Sequence, residues 1–243
     1  MNLSEQEQYF LKYYYKLINE ILCARAHLNL WECLEKYKST SYVAEFNNAE
    51  YFFTFTQKAH LDDVILTLSR IVDTHENSLT LWKFLNYAEQ KREIFSMKAF
   101  KERMKNEPDY EIYWKNKVKD HKPLAITEIE EDRQKLKKLS QIVNNISTWR
   151  DKVLAHIDRQ YLLSGRNFTK EFPLRLQQLQ EIIKTLFNIL SRYSGAFNSS
   201  EYDEEISGEN DIQFVMDCIR FYNEECNRQM KAKLELVKNN RLR

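Results

Sequence analysis

Three glycines and three prolines in 243 residues leave this chain few means of turning tightly. Hairpins and strand–helix connections draw on those two residues for left-handed backbone and fixed φ. A chain with six of them must run in long segments. These segments are rich in Leu, Lys, Glu, Gln and Tyr and poor in β-branched runs, which is a helix-forming composition. The expected class is all-α: an up-and-down bundle of long helices with an appended C-terminal helix.

Capping chemistry and apolar spacing set the expected boundaries. Ser4 with Glu7 makes a capping box, opening a helix to about Lys38 whose apolar face carries Phe10, Tyr14, Leu17, Ile21 and Leu28. After a polar break at 39–41, a second pattern covers about 45–72, with Phe52, Phe55, Ala59, Val64, Leu66, Leu68 and Ile71 at steps near three and four. Ser78 is the expected cap of a third helix through Leu81, Phe84 and Leu85, fading toward Pro108, and residues 108–123 read as a connector. Thr127 with Glu130 forms another capping box, opening a helix to about Leu163. Pro173 suits the first turn of the next helix, which is expected to run to Tyr193 and stop at Gly195. Residues 196–209 are acidic and poor in core formers, hence a linker. Asn210 then caps a last helix carrying Ile212, Val215, Met216, Ile219, Phe221 and Tyr222. The expected organisation is a bundle over 1–195, the linker over 196–209, and a C-terminal helix over 210–243 with a basic end.

A net charge of +1 supplies no global field to drive nucleic-acid or membrane binding. Cys23, Cys33, Cys218 and Cys226 form no CxxC pair, so they are expected to be reduced, buried or half-buried thiols. His60 and Asp63 have metal-compatible helical spacing without further ligands, and neither a metal nor a cofactor is expected. No basic-then-apolar leader opens the sequence, and the apolar stretches carry charges every few residues. The expected location is the cytoplasm.

One stretch carries candidate chemistry: Trp149-Arg150-Asp151-Lys152-Val153-Leu154-Ala155-His156. On a regular α-helix the six-residue step from Arg150 to His156 gives roughly 120° and about 9 Å. Trp149, Val153 and His156 share a stripe, which points His156 toward packed surface. An imidazole can take a proton from a ribose 2′-hydroxyl or return one to the leaving 5′-oxygen. A guanidinium keeps its charge and matches the oxygens of a phosphorane-like transition state. A single imidazole is poorly placed at both ends of an in-line displacement, and a two-fold dimer would supply two. The plainer reading is a hydrogen-bonded structural histidine. Between Arg133 and Arg166 eight Lys and Arg stand against Asp151 and Asp158, a local charge suited to phosphate. Asp63, Arg70 and Asp73 read either as a polar seam toward such a site or as surface ion pairs.

The segment Arg150–His156 (RDKVLAH) resembles the signature of the HEPN superfamily: an Arg, a polar residue, and a His a few positions on. The run Phe52–Leu85, with an aromatic-rich helix, an Asp, a Leu-Ser-Arg, a second Asp and a Ser-Leu helix start, resembles the abortive-infection AbiU-type branch. The likeness covers about residues 5–195. It implies a helical bundle, usually dimeric, in which many members are metal-independent endoribonucleases of phage-defence or toxin–antitoxin systems. Carried onto this sequence, Arg150 stabilises phosphate and His156 is the acid and base. Asp151, at the polar position, supports them, and Lys152 and Arg159 are candidate RNA contacts. RNA and a second copy are the implied partners, with an antitoxin or a nucleotidyltransferase as a further candidate. The alternative is a non-catalytic helical module that binds such a protein.

Overall fold

The computed structural model describes residues 3–73, 75, 77–105, 118–119, 121–155, 159, 163, 167–199 and 209–241. The helices are α1 (Glu5–Tyr37), α2 (Val43–Asn48), α3 (Glu50–Val72), α4 (Leu81–Gln90), α5 (Met97–Met104), α6 (Ile126–Lys138), α7 (Ser140–Trp149), α8 (Phe168–Glu171), α9 (Leu176–Asn198) and α10 (Glu209–Arg241). A 3₁₀ turn spans Arg92–Phe95 and a π-helical turn spans Arg150–Leu154. Among the described residues there is no strand, and the all-α class stands. No helix is long and apolar enough to cross a membrane among those residues.

Helix α1 starts where its capping box puts it. The Glu7 carboxylate accepts from the Ser4 amide at 2.9 Å, and the Ser4 hydroxyl accepts from the Glu7 amide at 3.3 Å. Phe10, Tyr14, Leu17, Ile21 and Leu28 are all buried, and each such side chain gains about 1.5–3 kcal/mol by leaving water. Tyr13 is buried beside them while Tyr15 faces solvent, as a helical step of two requires.

The chain forms two compact units that interleave along the sequence, residues 1–25 with 62–206, and residues 26–61 with 207–243. In the first, Phe10 packs edge-on against Phe95 at 5.0 Å and tilted against Phe84 and Phe197 at 5.5 and 4.8 Å. Tyr193 of α9 joins through Phe84 and Phe95. Buried Leu179, Ile182, Ile183, Leu186, Ile189 and Leu190 complete the inner face of α9. A buried ion pair borders this core: Arg103 of α5 donates to Glu7 and to the carbonyl oxygens of Ile94 and Phe197. In the second unit, Leu34, Tyr37, Phe46, Phe53 and Met216 form a core flanked by Ile212 and Ile219. Arg220 of α10 lies over the Tyr42 ring at 4.1 Å and donates to Glu45 at 2.9 Å. Tyr42 in turn donates to Asp217 at 2.7 Å.

Several boundaries differ from expectation. The pattern over 45–72 is two helices, because Ala49 leaves helical backbone (φ −133°, ψ 40°) and resets the register. Phe53 rather than Phe52 or Phe55 then points inward; those two and Ala59 are exposed, while Val64, Leu68 and Ile71 are buried. Ser78 does not cap α4, which begins at Leu81 with Thr80 before it. Helix α6 begins one residue before Thr127, and Glu128 rather than Glu130 reaches back, accepting from the Ala125 amide at 2.8 Å. The expected helix over 127–163 is broken at Leu139, where ψ rises from the helical value of about −42° to 4°. Helix α9 begins after Pro173 and passes through Gly195 to Asn198, and Ser199 takes the left-handed cap with its amide bonded to the Gly195 carbonyl. Cys23, Cys218 and Cys226 are exposed and Cys33 is half-buried, all as free thiols, because three of them fall on solvent-facing helix positions. Pro108 and most of the 108–123 connector lie outside the described residues.

Burial raises the Glu7 carboxyl, but hydrogen bonds from Ser4 and Arg103 outweigh it and leave it below the ordinary 4.5. His121, buried and stacked on Phe100 at 3.7 Å, is pushed below its ordinary 6.5 by desolvation and by the Arg103 charge, against the Phe95 backbone. A lowered folded value means stability that is whole above the ordinary value and shrinks as pH falls through the folded one. Stability is therefore expected to decline in two stages on acidification, the first below pH 6.5 from His121 and the second below pH 4.5 from Glu7. Urea titrations of His121→Phe should lack the first stage and keep the second. Glu7→Gln should cost about 3–5 kcal/mol at pH 7, because it strands a buried guanidinium, and Glu7→Gln with Arg103→Met should cost less.

Candidate functional site

Helix α7 delivers Arg150, and neighbouring backbone fixes the point of delivery. The Trp149 indole donates to the Phe172 carbonyl at 2.8 Å and its ring meets Phe168 edge-on at 4.9 Å. One turn earlier, the buried Asn145 donates to the Pro173 carbonyl at 2.8 Å. These bonds hold the end of α7 against the segment of α8 and Pro173.

At Arg150 the helix widens. The Ala155 amide bonds the Arg150 carbonyl at 2.7 Å, an i→i+5 bond that places an extra residue in the turn. Such turns occur often at functional sites. The regular 100° step per residue therefore does not hold across Arg150–Leu154. The expected stripe through Trp149 and Val153 is also lost: Val153 is 40% exposed, and Leu154, five residues after Trp149, is the less exposed of the two. His156 lies outside the described residues.

The Arg150 guanidinium sits between two carboxylates. Its Nε donates to Asp151 Oδ1 at 2.7 Å and its Nη1 lies 3.5 Å from Asp73 Oδ2. The Asp151 bond, with the Asp73 charge and against partial desolvation, pushes Arg150 up from its ordinary value. It is a fixed cation at every physiological pH. About a quarter of the side chain remains exposed, so an anion reaches it from solvent. Asp151, Lys152 and Arg159 are exposed.

Asp73, at the end of α3, also organises the loop that follows. Its Oδ1 accepts from the His75 amide at 3.1 Å, an Asx turn, and its Oδ2 accepts from the Ser78 hydroxyl at 3.2 Å. Lys83 donates to the carbonyls of His75 and Ser78, both at 2.9 Å. A recess of about 280 Å³, lined by Lys16, Glu20, Arg70, Asp73, Ser78 and Leu79, opens beside it. Arg70 pairs with Glu20 at 2.8 Å and donates to Thr67, which donates to Asp63 at 3.4 Å. Of the three residues Asp63, Arg70 and Asp73, only Asp73 is brought to Arg150. The sequence signal for it was the second Asp of the 52–85 pattern. Nothing in the sequence marked the Ser78 bond.

The basic stretch from Arg133 is partly neutralised by acids that folding brings to it. Arg133 is bonded to Asn86 and Glu89, Lys135 to Asp132 at 2.9 Å, and Arg150 to Asp73. Lys137 and Lys138 stay exposed. His60 sits beside His27, with Nδ1 atoms 3.4 Å apart, and no group of three His, Cys, Asp or Glu among the described residues is placed to hold a metal.

Asp73→Asn keeps the size of the side chain and removes its charge from a pair about a quarter exposed on each side. It is expected to cost about 1 kcal/mol or less in urea denaturation. Asp73→Ala also removes the bonds to His75 and Ser78 and should cost about 2–3 kcal/mol.

No curated protein and no solved structure matches the chain. The AbiU2 model of HEPN domains matches residues 7–213, past the 195 expected from the sequence and into the start of α10. A match over that much of the chain places it: the protein belongs to the AbiU2 family of HEPN domains.

Proposed function

We propose that this protein is a metal-independent endoribonuclease of a phage-defence or toxin–antitoxin type system, its site completed by Arg150 and His156 from two subunits of a homodimer. The observation that carries the reading is Arg150 itself. It is a permanently charged guanidinium at the head of a π-helical turn, oriented by Asp151 and Asp73 and open to solvent on one side. Membership of the HEPN fold family supports the same assignment.

In this scheme the RNA phosphate exchanges with a carboxylate at Arg150. The guanidinium then bears the charge that grows on the non-bridging oxygens as the 2′-oxygen attacks. One His156 takes the 2′-hydroxyl proton and its two-fold mate protonates the departing 5′-oxygen. Asp151 is a positioning residue: by accepting from Nε it leaves the terminal nitrogens to face phosphate. Lys152 and Arg159, both exposed, contact the flanking phosphates.

A second reading has one observation in its favour. A guanidinium already met by two acids is satisfied inside the fold, which suits a non-catalytic module that binds an antitoxin or a nucleotidyltransferase.

Purified protein incubated with a fluorescent single-stranded RNA in excess chelator separates the two. Cleavage is expected, with His156→Ala reducing it at least about 100-fold and Arg150→Ala by about 100- to 1000-fold. Growth arrest on expression should be lost in the same variants. Circular dichroism matching the parent confirms that they fold. Unchanged cleavage by His156→Ala would falsify the catalytic assignment, and absence of cleavage by the parent would leave the binding module.

A further inference from the structure

A groove of about 470 Å³ opens within the first unit, between the early turns of α1 and helix α4. Tyr9 of α1 and Tyr87 of α4 line it, their ring centroids 4.9 Å apart and their planes tilted by 44°. Both rings are held in place. The Tyr87 hydroxyl donates to the Gln6 carbonyl at 2.9 Å, and Tyr9 meets Tyr13 edge-on at 6.0 Å. Tyr13 is buried and anchored, its own hydroxyl donating to the Thr80 carbonyl at 3.0 Å. Tyr9 still keeps 52% of its surface in solvent. A ring fixed in this way can accept a flat partner at little ordering cost.

Polar groups border the rings. Lys83, Asn86, Tyr87 and Gln90 follow one another at steps of three and one, so α4 turns a single face to the groove. Arg133 donates to Asn86 Oδ1 at 2.9 Å, which leaves the Asn86 amide nitrogen as a donor beside the rings. Gln90 adds a second, exposed amide. Lys83 is the one charged side chain among the described lining residues. Its ammonium donates to the Ser78 carbonyl, and the Ser78 hydroxyl donates to Asp73, which meets Arg150. Ser78 and Leu79 line both this groove and the recess beside Asp73, so the two adjoin.

An aromatic face, amide edges and a cation with no carboxylate beside it are what hold an unstacked base and its phosphate. A docked helix or strand would need a continuous apolar groove or an open sheet edge, and this lining offers neither. We propose that the groove is a base subsite for single-stranded RNA, in which a nucleotide flanking the cleaved phosphodiester stacks on Tyr9. Asn86 and Gln90 meet the edge of that base, and Lys83 meets its phosphate. The place of this nucleotide beside the cleaved bond rests on the ribonuclease reading; its capture by the groove does not.

Fluorescence anisotropy with a labelled 2′-O-methyl oligo-uridine tests the subsite, since that probe lacks the attacking hydroxyl and stays whole. The full chain is expected to bind it, and Tyr9→Ala to bind about 5- to 150-fold more weakly. Tyr9→Phe keeps the ring and should stay within about 2-fold of the parent. A sugar–phosphate oligomer without bases should bind the parent and Tyr9→Ala alike. Lys83→Gln should lower the slope of log affinity against log salt by about 0.7, the share of one phosphate on a single strand. Matching circular dichroism and thermal melting establish that the variants fold. With unmodified RNA, Tyr9→Ala should lower kcat/KM by a factor similar to its loss of binding. Equal binding by parent and Tyr9→Ala, equal weakening by Tyr9→Phe, an unchanged salt slope in Lys83→Gln, or no RNA binding by the parent overturns the proposal. Tyr9-dependent binding without cleavage rejects the ribonuclease reading and upholds the subsite, whereas cleavage indifferent to Tyr9→Ala does the reverse.

Discussion

Phe10 is the contact on which the larger unit turns. A single ring on α1 meets Phe84 of α4, Phe95 of the 3₁₀ turn and Phe197 of α9, and Tyr193 closes the group from the far side of Phe84 and Phe95. Aromatic rings bury more area than any aliphatic side chain and prefer tilted and edge-on arrangements, so a cluster of them fixes orientation as well as proximity. With α1, α4 and α9 held in this way, the far ends of the bundle inherit their positions. The Glu7–Arg103 pair seals one border, its cost of desolvation offset by carbonyl acceptors from Ile94 and Phe197.

How much of this was legible in the sequence depended on whether the signal was local. The α1 boundary and face were readable because the Ser4–Glu7 cap and the period of Phe10, Tyr14, Leu17 and Ile21 are contained within the helix. The Phe52 and Phe55 assignments failed because the kink at Ala49 resets the register, and nothing in residue type announces it. At 126–128 the cap was misplaced by a few residues because both Glu128 and Glu130 suit an N-terminal turn, and only the position of the backbone decides between them. Gly195 was read as a stop, yet a glycine inside a packed helix costs only about 1 kcal/mol, and the flanking Tyr193, Ala196 and Phe197 are buried firmly enough to carry α9 through it.

At the candidate site the legible part was residue type and the illegible part was partnership. Arg150 and Asp151 stood out from their neighbours, and they do bond each other. The contribution of Asp73, more than seventy residues away, is a tertiary fact. The same holds for the charge of the basic stretch, which a linear count overstates because Glu89 and Asp73 arrive from elsewhere. The π-helical turn is a deviation that helix periodicity does not anticipate, and it changes which residues share a face from Trp149 onward.

Asp73 has two oxygens and three claimants: a guanidinium, an amide and a hydroxyl. Whatever draws Arg150 away releases lone-pair capacity to His75 and Ser78, and whatever loosens those two frees the carboxylate to hold Arg150 harder. Occupancy of the arginine and tightness of the 73–78 loop are therefore two sides of one thermodynamic linkage, with equal and reciprocal coupling. The shared carboxylate makes the loop a reporter of what the arginine holds.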